Sequence, residues 1–177
     1  MMQMKCKVVA LLLLLLLLCG CSGNPNESIG DEKTVPLDRI LEALKTGSIA
    51  TYESAFPPDF CDAYRQAYPD MPDTIETLLS VANEFNSQAY GEDFLIRYEL
   101  NKTELCDPAQ FAGEYKLNTL DTISYVIPQA SEAARIHVKV YRIGSFDETE
   151  KEEAYVVLLI GGTWYLHPQE FGTVLND

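Results

Sequence analysis

The chain reads as an α+β domain, with N-terminal helices packed on an antiparallel sheet of about four strands. Three observations predict it. Between Pro36 and Gly91 apolar residues recur at helical spacing. From Phe94 onward the period drops to two. Near the end, Gly161-Gly162 separates two apolar runs, the setting of a tight hairpin whose turn residues need positive φ. Helices first and strands afterwards, without βαβ alternation, is the α+β order.

The elements follow from the N-terminus. Lys5 and Lys7 precede eleven apolar residues, Val8 to Leu18, eight of them consecutive leucines. At 1.5 Å per residue such a helix covers about 16 Å, too short for a hydrocarbon core of roughly 30 Å. The segment therefore has the form of an export signal rather than a span. Its end, Leu18-Cys19-Gly20-Cys21, resembles the bacterial lipobox. The resemblance implies cleavage before Cys21, a diacylglyceryl thioether on its sulfur, and a chain held on the extracytoplasmic face of the cell membrane. Residues 1–20 are then a lipoprotein signal peptide. Residues 21–35 are polar and turn-rich, and read as a lipidated flexible tether. Residues 36–177 form a single domain, long enough for a proper core.

Charge narrows the partners. Losing Lys5 and Lys7 with the signal takes the net charge from −14 to −16. Nucleic acid requires basic stripes, which such a chain does not offer. An anionic membrane surface repels it, so the lipid on Cys21 must supply the membrane contact. Once the signal is removed and Cys21 is acylated, Cys61 and Cys106 remain. An exported even pair can form one disulfide or stand as two buried thiols.

Within the domain, Pro36 suits a first helical turn, Leu37, Ile40, Leu41 and Leu44 form one stripe, and Gly47 ends the element. A second helix follows Pro57-Pro58, with Phe60, Ala63, Tyr64, Ala67 and Tyr68 inward, and stops before Pro69. A third is capped by Asp73 with Glu76 three residues on, presents Ile75, Leu78, Leu79, Ala82 and Phe85, and closes at Gly91. Phe94 to Asn101 alternates as a half-buried strand. Residues 107–131 are ambiguous: Asp107-Pro108 suits a short helix start, and Thr119 to Val126 suits another helix. Ile136, Val138 and Val140 alternate with His137, Lys139 and Tyr141 in a further strand. Asp147 to Glu153 is nearly all charged and reads as a solvated turn. Tyr155 to Ile160 is continuously apolar, the mark of a central strand covered on both faces. Thr163 to Leu166 returns antiparallel after Gly161-Gly162.

Tyr90-Gly91-Glu92-Asp93, the strand after it, and the terminal Gly161-Gly162-Thr163-Trp164-Tyr165-Leu166 carry a resemblance in element order. The chain is similar to nuclear transport factor 2-like proteins, whose enzyme members include ketosteroid isomerase and scytalone dehydratase. More narrowly it resembles a group of exported bacterial lipoproteins of that fold. The resemblance implies a curved sheet and a cone-like shape. The enzyme members' catalytic carboxylate and histidine have no counterpart here by motif.

Candidate sites are few. His137 and His167 do not stand at metal-ligand spacing with each other or with the cysteines, and no phosphate loop is present, so no metal or cofactor is expected. Neither cysteine lies in a nucleophile motif or a basic setting. Arg97, Tyr98, Glu99, His137, Tyr141 and Trp164 all fall on the expected sheet and form the candidate cavity lining or polar patch. Lining a cavity, Glu99 would titrate high and serve as a general base. On a solvated face it would belong to an exposed charge cluster. The ten tyrosines suit either an aromatic ligand cavity or a core filled between sheet and helices. The expected role is a non-catalytic module that binds a small ligand, a peptide or an envelope protein. An isomerase-type enzyme and an accessory subunit docking through its sheet are the alternatives.

Overall fold

The structure is a computed structural model and describes residues 31–70, 73–118 and 123–174. The expected signal segment, Cys21 and most of the expected tether lie outside these residues. Among the described residues, four helices precede a four-stranded antiparallel sheet, so the chain is an α+β domain.

The first described residues, from Asp31, lie ahead of the expected Pro36 boundary. The Asp31 carboxylate accepts from Lys33 N–H and caps a short 3-10 turn, Glu32–Thr34. Thr34 is buried there. Helix α1 (Val35–Thr46) carries its proline in the first turn, where a missing N–H costs nothing, and ends at Gly47 in the left-handed region, φ 68°. Helix α2 (Ile49–Glu53) was not anticipated. Its signal is Ser48, whose hydroxyl accepts from Thr51 N–H. Helix α3 (Phe60–Ala67) stops at Tyr68, before Pro69. Helix α4 (Thr74–Tyr90) is capped by Asp73 through Ile75 N–H and closes at Gly91. Its buried stripe is Ile75, Leu79, Ala82, Asn86 and Tyr90. The stripe drifts around the helix and places Asn86 inward, leaving Phe85 exposed against the sequence expectation.

The main sheet orders its strands β1 (Leu95–Cys106), β4 (Glu132–Ile143), β5 (Glu148–Ile160), β6 (Thr163–Leu166), all antiparallel. A small hairpin, β2 (Gly113–Lys116) with β3 (Ser124–Ile127), forms a second sheet. This corrects the helix expected over Thr119 to Val126: Ser124 to Ile127 is a strand, paired with Lys116 to Gly113. Asp107 caps a 3-10 turn, Pro108–Phe111, as the Asp-Pro signal suggested.

The charged run Asp147 to Glu153 is not a turn. Strand β5 starts at Glu148, and the reversal is completed by Gly144–Asp147, where Gly144 N–H donates to Asp147 O. Pairing with β4 accounts for the difference. Two of the acidic residues fall opposite polar ones, Glu152 against Lys139 and Glu150 against Tyr141, and Glu150 also reaches Lys139 Nζ at 2.8 Å.

Gly161 (φ 59°) and Gly162 (φ 84°) make the expected hairpin turn into β6. Tyr155, Val156, Val157 and Leu158 are all buried, as a strand covered on both faces requires. Here the chain folds back on β5, with His167 N–H donating to Val156 O and Val156 N–H to the Glu170 carboxylate. The core lies between the helices and the sheet. Leu37, Ile40, Phe56, Phe60 and Ile75 meet Ile136, Val138, Val140, Val157 and Leu166, all less than 2% exposed. Phe60 contacts Phe56, Tyr64, Tyr115, Tyr125 and Phe171 with ring centroids 5.4 to 6.2 Å apart, so aromatic rings fill one end of the layer.

Candidate functional site

Alternation along a strand sends neighbouring side chains to opposite faces, and this divides the sequence-predicted patch. Tyr98 pairs with Val140 on the helix-facing side, and its hydroxyl donates to Asp38 Oδ1 at 2.6 Å. Burial, and then that carboxylate, push its pKa well above the usual phenol range. Trp164 lies on the same side in β6, buried, with Lys33 Nζ 5.1 Å from its ring centroid. Neither residue joins the others.

Arg97, Glu99 and Tyr141 do come together, on the outer face. Arg97 Nη1 donates to Glu99 Oε1 at 2.8 Å, and Tyr141 Oη donates to Glu99 Oε2 at 2.9 Å. The Arg97 guanidinium lies 4.1 Å over the Tyr141 ring and Lys139 Nζ 5.6 Å from it. Lys139 in turn meets Glu150. The hydrogen bonds from Arg97 and then Tyr141 hold the Glu99 carboxyl below its usual value, and Glu99 raises the Tyr141 hydroxyl. The general-base reading of Glu99 needed the opposite shift and an enclosed setting. The structure gives a solvated carboxylate that stays ionised.

His137 belongs to a separate group. A β-bulge at Asn101 separates the pair Leu100 and Val138 from the pair Lys102 and His137. The extra residue carries Lys102 and Glu104 back onto the outer face, and His137 Nε2 lies 3.4 Å from Glu104 Oε2. Lys102 ion-pairs the same carboxylate, which sits below its usual pKa through Lys102 first and His137 second. The outer face of β1 thus reads Arg97, Glu99, Lys102, Glu104, alternating in charge.

The sheet's other side carries a polar group that sequence reasoning missed. Arg142 Nη2 lies 3.8 Å from Glu153 Oε1, both side chains nearly buried, and Tyr155 Oη donates to the same carboxylate. Thr149, which pairs with Arg142 across the strands, shares a hydrogen bond through its Oγ1 with Tyr90 Oη at 2.9 Å. The parity of β4 was the available signal, since it puts Arg142 in line with Ile136, Val138 and Val140.

His167 ends β6 and caps a 3-10 turn, its Nδ1 accepting from Gln169 N–H at 3.1 Å. Burial against Phe111 and Tyr115 pushes its pKa down to about 4, so the ring is neutral. The disulfide alternative fails: Cys61 and Cys106 are both free thiols. Cys61 is buried on α3, and burial raises it to about 12, with Glu53 adding to the effect. Cys106, at the end of β1, points its Sγ at Glu104 O, 3.6 Å away. Among the described residues no three His, Cys, Asp or Glu side chains converge as metal ligands.

Several clefts open on the surface of the described residues, and two of them lie against the helices. One of about 580 Å³ is lined by Arg39, Glu53, Phe56, Asp59, Cys61 and Tyr165. Its polar groups are occupied locally: Arg39 donates to Ser54 O at 2.6 Å, and Glu53 ion-pairs with Arg65. The other, about 470 Å³, lies between α1, α4 and the start of β1, with an apolar floor of Leu41, Leu44, Phe94 and Ile96 and an acidic edge at Asp38 and Glu42. No helix among the described residues is long and apolar enough to cross a membrane. No protein-family model matches the chain, and no curated protein or solved structure is significantly similar to it.

Proposed function

We propose that this is a lipid-anchored protein of the extracytoplasmic face of the cell membrane, acting as a non-catalytic module that docks an envelope partner through the outer face of its sheet. The contrast between the sheet's two faces carries the docking half. The inner face is taken up by packed aliphatic and aromatic side chains. The outer face presents Arg97, Glu99, Lys139, Tyr141 and Glu150 to solvent, already fixed against one another by hydrogen bonds, an ion pair and ring contacts. Tyr141 is half-buried, and an aromatic ring held in place by charged neighbours loses little freedom when a partner covers it.

The anchoring half rests on Leu18-Cys19-Gly20-Cys21 after the leucine run. Two or more acyl chains anchor stably where a single one is marginal, at about 0.8 kcal/mol per buried CH₂. The net charge of −16 after processing keeps the domain off an anionic lipid surface and leaves its sheet face free. The order of helices, antiparallel sheet and closing glycine hairpin supports a nuclear transport factor 2-like assignment for the domain.

Two experiments test the two halves. Feeding the host an alkyne palmitate should label the wild type and leave Cys21→Ser unlabelled and released from the membrane. A wild-type chain that takes no label, or fractionates with cytosol, removes the anchor. A photo-crosslinking amino acid at position 141 should give a light-dependent adduct in intact cells, while the same group at Glu114 on the hairpin should not. Equal adducts at both sites, or none at 141, remove the docking face.

A further inference from the structure

Strand β1 is a twelve-residue edge: it pairs with β4 on one side, and among the described residues no strand pairs with the other. An edge of that length is a template for another strand unless its side chains forbid it. Those of β1 forbid one arrangement and fit another. We propose that a second copy of this chain pairs antiparallel with β1 across a two-fold axis between Leu100 and Asn101, joining the two four-stranded sheets edge to edge.

The register follows from where the strand starts and stops. With the axis at that point Leu95 falls opposite the partner's Cys106, so all twelve residues are used. On the outer face Arg97 then stands opposite the partner's Glu104, and Glu99 opposite the partner's Lys102. Each pair occurs twice by symmetry, and each is of opposite sign. Parallel pairing in register would set Arg97 against Arg97 and Glu99 against Glu99, so the same pattern rejects it.

The bulge makes the match work. Outer-face charges at 97, 99, 102 and 104 are not evenly spaced in sequence, and a regular strand would send 102 and 104 to the opposite face from 97 and 99. The extra residue at Asn101 returns all four to one side. It lies beside the axis, opposite the partner's Leu100, so the charged rows stay aligned on both sides of it. Leu105 is 76% exposed in the single chain, an unusual setting for a strand leucine. In this register it faces the partner's Ile96 on the helix side of the joined sheet. Arg97 and Glu99 also belong to the outer docking face, so the pairing is read on the isolated chain, with no envelope partner present.

The test makes one strand all acidic and the other all basic. Arg97→Glu with Lys102→Glu gives the first variant, and Glu99→Lys with Glu104→Lys gives the second. Full-length proteins, extracted from membranes in a density-matched detergent, are compared by sedimentation equilibrium. The wild type should be dimeric, each variant alone monomeric, and an equimolar mixture dimeric again. Leu105→Asp, at a residue too exposed to support folding, should raise the dimer dissociation constant tenfold or more and covers the case of a misfolded double variant. A monomeric wild type at about 100 µM, variants that each dimerise alone as the wild type does, a mixture that stays monomeric while both variants keep wild-type circular dichroism, or an unchanged constant in Leu105→Asp overturns the proposal.

Discussion

Arg142 and Glu153 approach each other from neighbouring strands, 3.8 Å apart and with side chains only 4% and 10% exposed, on the sheet face that carries the packed aliphatic and aromatic core. They lie on the helix side of the sheet, where Val138 and Val140 are fully buried. Lys151 Nζ, 4.0 Å from the same carboxylate, and the Tyr155 hydroxyl complete the setting.

Removing one member of such a pair leaves a charge in a poorly solvated place, which costs more than the pair contributes when intact. Arg142→Met should therefore lower the unfolding free energy by about 3 kcal/mol. Adding Glu153→Leu to it should restore more than half of that loss. Urea unfolding of the wild type, the single and the double variant measures both. A single variant within 0.5 kcal/mol of wild type would mean that water reaches the pair and the burial has no energetic consequence.

His167 gives the domain a pH dependence of defined sign. Its folded pKa is depressed to about 4, while the unfolded chain titrates near the ordinary histidine value. The unfolded state therefore binds the proton first as pH falls. Stability is fully present above about pH 6.5 and is lost as pH drops toward 4, by about 2 kcal/mol between pH 7 and 4.5. His167→Asn keeps a side-chain acceptor for Gln169 N–H but does not titrate. Between those two pH values the wild type should lose about 2 kcal/mol more than the variant, read from parallel denaturation curves. Identical losses would show that the ring is not held neutral by burial.

The free cysteines should differ sharply in reactivity. Thiolate is the attacking species, and Cys61 is both buried and raised to about 12 by burial and by Glu53. Cys106 is half-buried at a strand end. Maleimide at pH 7.5 should modify Cys106 within minutes and Cys61 only after denaturation, located by peptide mass spectrometry. Rapid native labelling at Cys61 would mean that reagent reaches the thiol through the 580 Å³ cleft it lines, despite its burial.

What sequence could and could not supply is clearest residue by residue. The caps at Asp73 and Gly47 and the turn at Gly161-Gly162 are local devices, and local chemistry was enough to place them. The acidic start of β5 was not legible, because a run such as Glu148 to Glu153 becomes a strand only through the partner residues β4 sets opposite it. The hairpin at Ser124 failed for the same reason: its four residues have no pattern apart from their pairing with Gly113 to Lys116. For the candidate site, alternation alone separates Arg97 and Glu99 from Tyr98, and Lys139 and Tyr141 from Val140. The bulge at Asn101 has no sequence signature, yet it decides that His137 meets Glu104 rather than Glu99.

The junction between α4 and the β4–β5 turn depends on a missing side chain. Phe146 N–H donates to Tyr90 O at 2.9 Å, which ties the turn to the helix end. That contact brings Gly144 so close that a Cβ there would collide with Tyr90 O and lie 2.7 Å from its carbonyl carbon. Both are backbone atoms, so no side chain can swing aside. Gly144→Ala must part the helix end from the turn, at about 2–3 kcal/mol, the upper range for overpacking. Gly161 has nothing within 4 Å of such an atom, and only its φ of +59° is special. Asparagine tolerates that region, so Gly161→Asn should cost under about 1 kcal/mol. Thermal unfolding of the two variants separates a glycine needed for closeness from one needed for conformation. Equal losses would mean that the turn moves away from Tyr90 without penalty.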